Sequence, residues 1–145
     1  MIQEATYHEV PGIVALGITA LKADPIPNQR ISTEKIQNIA RQCVSSEQHY
    51  AWVSVIDDEV VAALCAMVQP QMVYERLMAS VVQFYTIEPG EGEKLMRHFL
   101  DWRRERKRRI KMVAFTLECG ADPRIGKLLE RMGLTQTMPV YVEWS

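Results

Sequence analysis

Three strand-like runs follow one another in the middle of the chain, and they restrict the fold more than any other feature. Residues 51–56 and 60–68 are rich in β-branched, aromatic and small apolar side chains and are separated by an acidic turn at 57–59. A third run, 78–87, ends at a proline and a glycine. Runs of this composition between turn residues are typical of β-strands. The sequence therefore predicts a β-hairpin that extends into a three-stranded meander.

Apolar residues at helical spacing lie on both sides of the meander in the sequence. Before it we predict a short strand at 2–6, a helix that begins near Val10, and a second helix that begins after the N-cap candidate Ser32 and ends near 45–46. After it we predict a long helix over about 92–109, a strand at 112–117, a helix from the Asp122-Pro123 cap to Gly133, and a strand at 139–144.

The predicted order of elements is β-α-α-β-β-β-α-β-α-β. This order indicates an α/β (α+β) fold with a mixed, mostly antiparallel sheet and helices on both faces. The 145 residues are the length of one domain, so we predict a single domain over 1–145. Nine apolar side chains are predicted to be largely buried: Trp52, Val53, Val55, Leu64, Phe84, Phe99, Phe115, Leu117 and Leu128.

Composition excludes several classes of protein. The longest uncharged stretch, 60–74, is too short and too polar to span a bilayer. The N-terminal residues lack the basic cluster and apolar run of a secretory signal, so a cytoplasmic location is expected. Three widely spaced cysteines, Cys43, Cys65 and Cys119, predict neither a disulfide framework nor a metal site, and we interpret them as small core residues.

Three local motifs add to the order of elements: the hairpin sequence VIDDEVVA at 55–62, the strand end Ile87-Glu88-Pro89 before a glycine-containing loop, and LLERMGL at 128–134. Together with that order, which covers almost the whole chain, they resemble the GNAT superfamily of acyl-CoA-dependent N-acyltransferases. The resemblance implies transfer of an acyl group, with acetyl-CoA as the expected cosubstrate, to an amine.

The resemblance also implies a cofactor site. The backbone from Tyr85 to Ile87 would hold the pantetheine arm, and Gly90, Gly92 and Lys94 would receive the diphosphate at the start of the following helix. The loop departs from the family pattern because it is short, has no leading basic residue, and places two glutamates near the expected phosphates. On the alternative interpretation, Gly90 makes a turn, the glutamates cap the helix, and no ligand binds.

The residues that the family uses for proton transfer are not found at their expected positions. The common glutamate position falls at Val81, and the nearby Gln83 cannot act as a base. The positions of the family's Asn, Ala and Tyr in the last helix fall at Asp122, Ile125 and Leu129, and a leucine cannot protonate a thiolate. Glu75, in the loop before the strand, is the remaining candidate base, or simply a solvated loop residue. A non-catalytic GNAT-like domain with a structural or protein-interaction role is therefore an open alternative.

Charge is segregated along the chain. The segment 94–111 holds nine of the 17 basic residues and two acidic ones, a local charge of +7, so the remainder carries −8. The basic run from Arg103 to Lys111 is compatible with a solvated helix end, a protein partner, or a polyanion or nucleic acid. The acidic remainder argues against a broad nucleic-acid surface.

The last predicted strand suggests a contact with another chain. Its alternating side chains end in an exposed-edge tryptophan, Trp144, and an unpaired sheet edge favours pairing. Self-association or a protein partner at this C-terminal edge strand is therefore expected.

Overall fold

The structure, a computed structural model, describes residues 1–23, 30–116, 123–136 and 143. Five strands and four helices lie in these residues: β1 (Ile2–Glu4), α1 (Val10–Ala23), α2 (Thr33–Ser45), β2 (His49–Ile56), β3 (Glu59–Pro70), β4 (Leu77–Thr86), α3 (Pro89–Arg104), β5 (Ile110–Phe115) and α4 (Pro123–Arg131). This order confirms the prediction as far as α4. The predicted strand at 139–144 falls outside the described residues, apart from Glu143.

The five strands form one sheet in sequence order. The pairs β1–β2, β2–β3 and β3–β4 are antiparallel, and β4–β5 is parallel with α3 as the crossover. The predicted meander is thus confirmed, and the sheet is mixed because only its last pair is parallel.

Local sequence signals explain where several elements begin. Ser32 caps α2, since its hydroxyl accepts a hydrogen bond from the backbone N–H of Lys35 at 3.2 Å. The hairpin between β2 and β3 turns on Asp57 and Asp58, whose φ angles are 50° and 63°. Two successive positive φ angles match the right-handed twist of the flanking strands, and aspartate tolerates this conformation better than most residues. A short 3-10 turn, Tyr7–Glu9, was not anticipated from the sequence.

Each face of the sheet carries its own apolar core. Trp52, Leu64, Phe99 and Leu129 belong to the core on the side of α3 and α4. The core on the opposite side, beneath α1 and α2, contains Ile13, Val53 and the two buried cysteines Cys43 and Cys65. Helices therefore cover both faces, and these two cysteines are core residues as predicted, whereas Cys119 lies outside the described residues.

The prediction of burial was correct in part. Trp52, Val53, Leu64 and Phe99 are buried. Val55, Phe84, Phe115 and Leu128 are only half-buried, and Leu117 is not described. The buried positions here are Leu129 on α4 and Met132 just after its end, while Leu128 lies on the flank of the helix.

The predicted bounds of α3 were wrong at both ends. The helix begins at Pro89, because proline is well suited to the first helical position, where no intrahelical N–H bond is needed. It ends at Arg104, and residues 105–109 form turns before β5. This tail has four consecutive cations and no apolar stripe, so like-charge repulsion is not offset by packing.

We expect Leu129→Ala to lower the free energy of unfolding by about 2–5 kcal/mol, because it removes a buried side chain from the core under α4. Leu128→Ala, one residue earlier and half-buried, is the matched control and should cost clearly less. Urea unfolding of both variants measures the difference. A loss at Leu128 as large as at Leu129 would show that the buried face of α4 is assigned incorrectly.

Candidate functional site

The fourth strand contains one residue more than its neighbour can pair. Cys65 of β3 lies opposite Gln83, whereas the next residue, Ala66, lies opposite Val81, so Val82 is an extra residue in β4. Such a β-bulge bends its strand and increases the local twist. Bulges are common beside binding sites because they redirect the strand.

Beyond the bulge, β4 separates from β5. The parallel pairing runs from Leu77 with Ile110 to Val81 with Phe115, and β5 ends there. On its other side β4 stays paired with β3 as far as Thr86. Among the described residues, no strand pairs with the β5 side of β4 after Val81. The backbone of 82–86 therefore presents hydrogen-bonding groups to an opening in the sheet.

The beginning of α3 lies directly after this open edge. Only Ile87 and Glu88 separate β4 from Pro89, so the connection is too short to form a separate loop. Gly90 is exposed, and a side chain added there would meet no atom within 4 Å. The first helical turn is therefore open to solvent at Gly90, and its N–H groups give this end a partial positive charge.

Gly92 has a different role from Gly90. It is buried, and a Cβ at this position would lie 3.0 Å from three side-chain atoms of Thr86. Thr86 is itself held in place, because its hydroxyl donates a hydrogen bond to the carbonyl of Glu88 at 2.7 Å. Gly92 thus allows α3 to pack closely against the end of β4.

A polar contact fixes the same helical turn to β2. Ser54 is fully buried, and its hydroxyl donates a hydrogen bond of 2.5 Å to the Glu91 carboxylate. Lys94 forms a 2.8 Å ion pair with the other oxygen of that carboxylate. The Lys94 ammonium, and next the Ser54 hydroxyl, hold the pKa of Glu91 below its ordinary value. Glu91 is therefore ionised at neutral pH, and it is directed towards β2 rather than towards the open edge.

The other candidate residues near the opening lie on opposite faces of the sheet. Phe84 packs against Phe115 with ring centroids 5.6 Å apart, on the side of α3 and α4. Tyr85 packs on the opposite side, over Gly17 of α1. Its side chain thus fills the core under α1, and only its backbone belongs to the open edge. The Ile87 side chain is 41% exposed beside the start of α3.

Among the residues that the structure describes, groups suited to proton transfer are scarce around the opening. Val81 and Leu129 pack in or against the core on the α3 side. Gln83 is 7% exposed and pairs with Cys65, and its amide oxygen has no hydrogen-bond partner. Glu75 lies in the exposed loop before β4, so about 26 Å of extended strand separates it from Gln83. The structure therefore does not bring Glu75 together with Tyr85, Gly90 and Lys94, and Asp122 lies outside the described residues.

Sequence reasoning missed one feature of this region. Ser54 carried a signal, because it is the one polar residue in the apolar run 51–56, but nothing indicated its partner. His49 is half-buried with an unpartnered Nδ1, and burial lowers its pKa. The lowered pKa favours the uncharged imidazole, but His49 lies on β2, two strands from β4 and about 10 Å across the sheet.

Several solved structures of known proteins are similar in fold to this chain. A probable acetyltransferase matches with a TM-score of 0.75 and 12% identity, over 99% of each chain. An aminoglycoside acetyltransferase from an uncultured soil metagenomic sample, solved with trehalose, matches at 0.70 and 16% identity, over 100% of this chain and 95% of the other. The ribosomal-protein-alanine N-acetyltransferase of Brucella melitensis matches with a TM-score of 0.68 and 15% identity, over 100% of this chain and 99% of the other. No family model and no curated protein matches the sequence. The chain therefore has the fold of the GNAT-type acetyltransferases.

In the part of the chain that the structure describes, no group of three or more His, Cys, Asp or Glu side chains could hold a metal ion. None of the helices found there has the length and apolar character needed to cross a membrane.

The two glycines of α3 should respond differently to alanine. Gly92→Ala should lower the melting temperature, because the new methyl group presses on Thr86. Gly90→Ala should leave it unchanged or raise it, since alanine in a helix is favoured over glycine by up to about 1 kcal/mol. Thermal unfolding by circular dichroism measures both. Equal effects would contradict the close packing of α3 on β4.

Proposed function

We propose that this chain is a GNAT-type N-acyltransferase that transfers the acetyl group of acetyl-CoA to an amine. The observation that carries the proposal is the open β5 side of β4 after the bulge at Val82, with the start of α3 directly beside it. An exposed strand edge can bind an extended, amide-containing chain by backbone hydrogen bonds. The pantetheine arm of acetyl-CoA is such a chain.

The residues at this edge fit the cosubstrate. The backbone of 83–86 would bind pantetheine, and the open first turn at Gly90 would lie near the diphosphate. Lys94 is exposed one turn further along, and its ammonium would be shared between Glu91 and a phosphate. Both nearby carboxylates are neutralised by cations, Glu91 by Lys94 and Glu93 by Arg97 at 2.8 Å each, so their repulsion of phosphate is reduced. Gly92 contributes to packing rather than to contact with the ligand.

The chemistry is attack of a neutral amine nitrogen on the thioester carbonyl carbon. The carbon–sulfur bond breaks, and the products are an amide and the CoA thiol. No net proton is taken up or released. Val81 and Leu129 lie where the family usually has its base and its acid. We therefore attribute catalysis here mainly to proximity of the two reactants, with water accepting the amine proton. The acceptor would reach the thioester from the side of α1 and α2, where the unpartnered Gln83 oxygen lies.

Acetyl-CoA should raise the melting temperature of the protein, because a ligand that binds only the folded state stabilises it. Gly90→Asp and Lys94→Glu should each reduce the affinity about tenfold or more, since both place negative charge near the phosphates without disturbing buried atoms. Isothermal titration calorimetry measures the affinities. Arg108→Glu is the control, in the turns beyond the far end of α3, and should bind acetyl-CoA at this site as the unaltered protein does.

Three outcomes separate the possibilities. Binding that depends on Gly90 and Lys94, with acetylated product when a panel of amines is supplied, supports the full proposal. Binding without product on any amine supports the non-catalytic alternative. No binding at millimolar acetyl-CoA, or equal losses in all three variants, contradicts the proposed cofactor site.

A further inference from the structure

A cavity of about 380 Å³ lies at the other end of β4. Two segments line it: the loop between β3 and β4 with the adjoining strand ends, and the turn after α3 with the start of β5. The residues used below are Tyr74, Glu75, Arg76, Arg108, Arg109 and Lys111. Since α3 spans 16 residues, or about 24 Å, this cavity is separate from the open edge at the start of the helix.

The cavity has an excess of positive charge. Four cationic side chains and one carboxylate line it, which leaves a net charge of +3. The ion pairs found among the described residues involve Lys94, Arg97, Arg104 and Arg106, and none of the four cations of the cavity takes part in them. Arg76 instead stacks on the ring of Tyr74, with its guanidinium carbon 4.8 Å from the ring centroid.

The four cationic side chains are exposed and hydrated, so their mutual repulsion is modest, but their summed positive potential attracts an anion. Three of the four cations are guanidinium groups, whose planar N–H pattern matches the oxygens of a phosphate. A phosphate monoester carries a charge of about −1.5 to −2 at neutral pH and a carboxylate carries one charge, so phosphate neutralises the cavity better. The stacking on Tyr74 also orients Arg76 before any ligand arrives.

We propose that this cavity is a second binding site, which takes a ligand carrying one or more phosphate groups. The phosphates would contact Arg76, Arg108, Arg109 and Lys111, and the site would be occupied independently of acetyl-CoA.

Phosphate can reach the cavity in a free molecule or in the headgroup of an anionic lipid. The adjoining loop bears on this choice, because Met72 is 97% exposed and Val73 is 79% exposed. These apolar side chains protrude rather than form a groove, and a lipid surface would bury them next to its phosphates. A free ligand would leave them in water.

The test measures inorganic pyrophosphate binding by titration calorimetry at low salt, for the intact chain and three exposed-site variants. The intact chain should bind pyrophosphate, and Arg108→Glu should weaken binding about tenfold or more. Lys107→Glu makes the same change of charge at the preceding residue, which does not line the cavity, and should weaken binding much less. Gly90→Asp weakens any pyrophosphate binding at the proposed acetyl-CoA site, and the binding that depends on Arg108 should persist in this variant.

A second arm uses co-sedimentation with phosphatidylcholine vesicles that contain phosphatidylglycerol. Sedimentation that is lost in Met72→Ser and Arg108→Glu identifies lipid as the source of the phosphate, and pyrophosphate binding without sedimentation identifies a free ligand. Equal losses in Arg108→Glu and Lys107→Glu would overturn the proposal, because they would show general attraction to a basic surface. Absence of binding in both arms would also overturn it. Circular dichroism confirms that each variant is folded.

Discussion

Val82 is the residue for which β3 provides no partner, and the geometry of the candidate site depends on it. With one residue too many between the pairs at Val81 and Gln83, β4 bends, and its later residues can no longer follow β5. The aromatic rings of Phe84 and Phe115 lie at the point of separation and fill the space on one face. An unbroken ladder would leave no unpaired backbone edge, and there would be no place for an extended cosubstrate.

A bent strand alone does not make a binding site, because the start of α3 must also be held beside it. Two contacts achieve this. Gly92 permits close approach to Thr86 on β4, and the buried Ser54 holds Glu91 towards β2. The same hydrogen bond and the ion pair with Lys94 keep a carboxylate of the first helical turn away from the open edge. From the sequence, the two glutamates near the start of α3 were expected to repel a bound anion. Their contacts in the structure make this end of the helix compatible with one.

The elements themselves were predictable because they depend on local patterns: period-2 and period-3.6 spacing, the Ser32 cap, and the Asp57-Asp58 turn. The bulge was not, because Val81, Val82 and Gln83 read as an ordinary strand and the mismatch arises only against β3. Partners distant in sequence were also missed, such as Ser54 with Glu91, 37 residues apart. The end of α3 was placed five residues too late because charge repulsion in the basic tail was not weighed against helical propensity. The cavity between Arg76 and Arg108 joins two segments that only the parallel pairing of β4 with β5 brings together.

The central claim is that acetyl-CoA binds along the open side of β4, and amide chemical shifts of the ¹⁵N-labelled protein test it most directly. Titration with acetyl-CoA should shift the backbone amides of 83–87 and Gly90, because these groups contact or border the ligand. Amides of 74–77, at the other end of β4, and of 108–111, beyond the far end of α3, should not move in step with them. Shifts confined to those distant segments, or no shifts at millimolar ligand, would contradict the account.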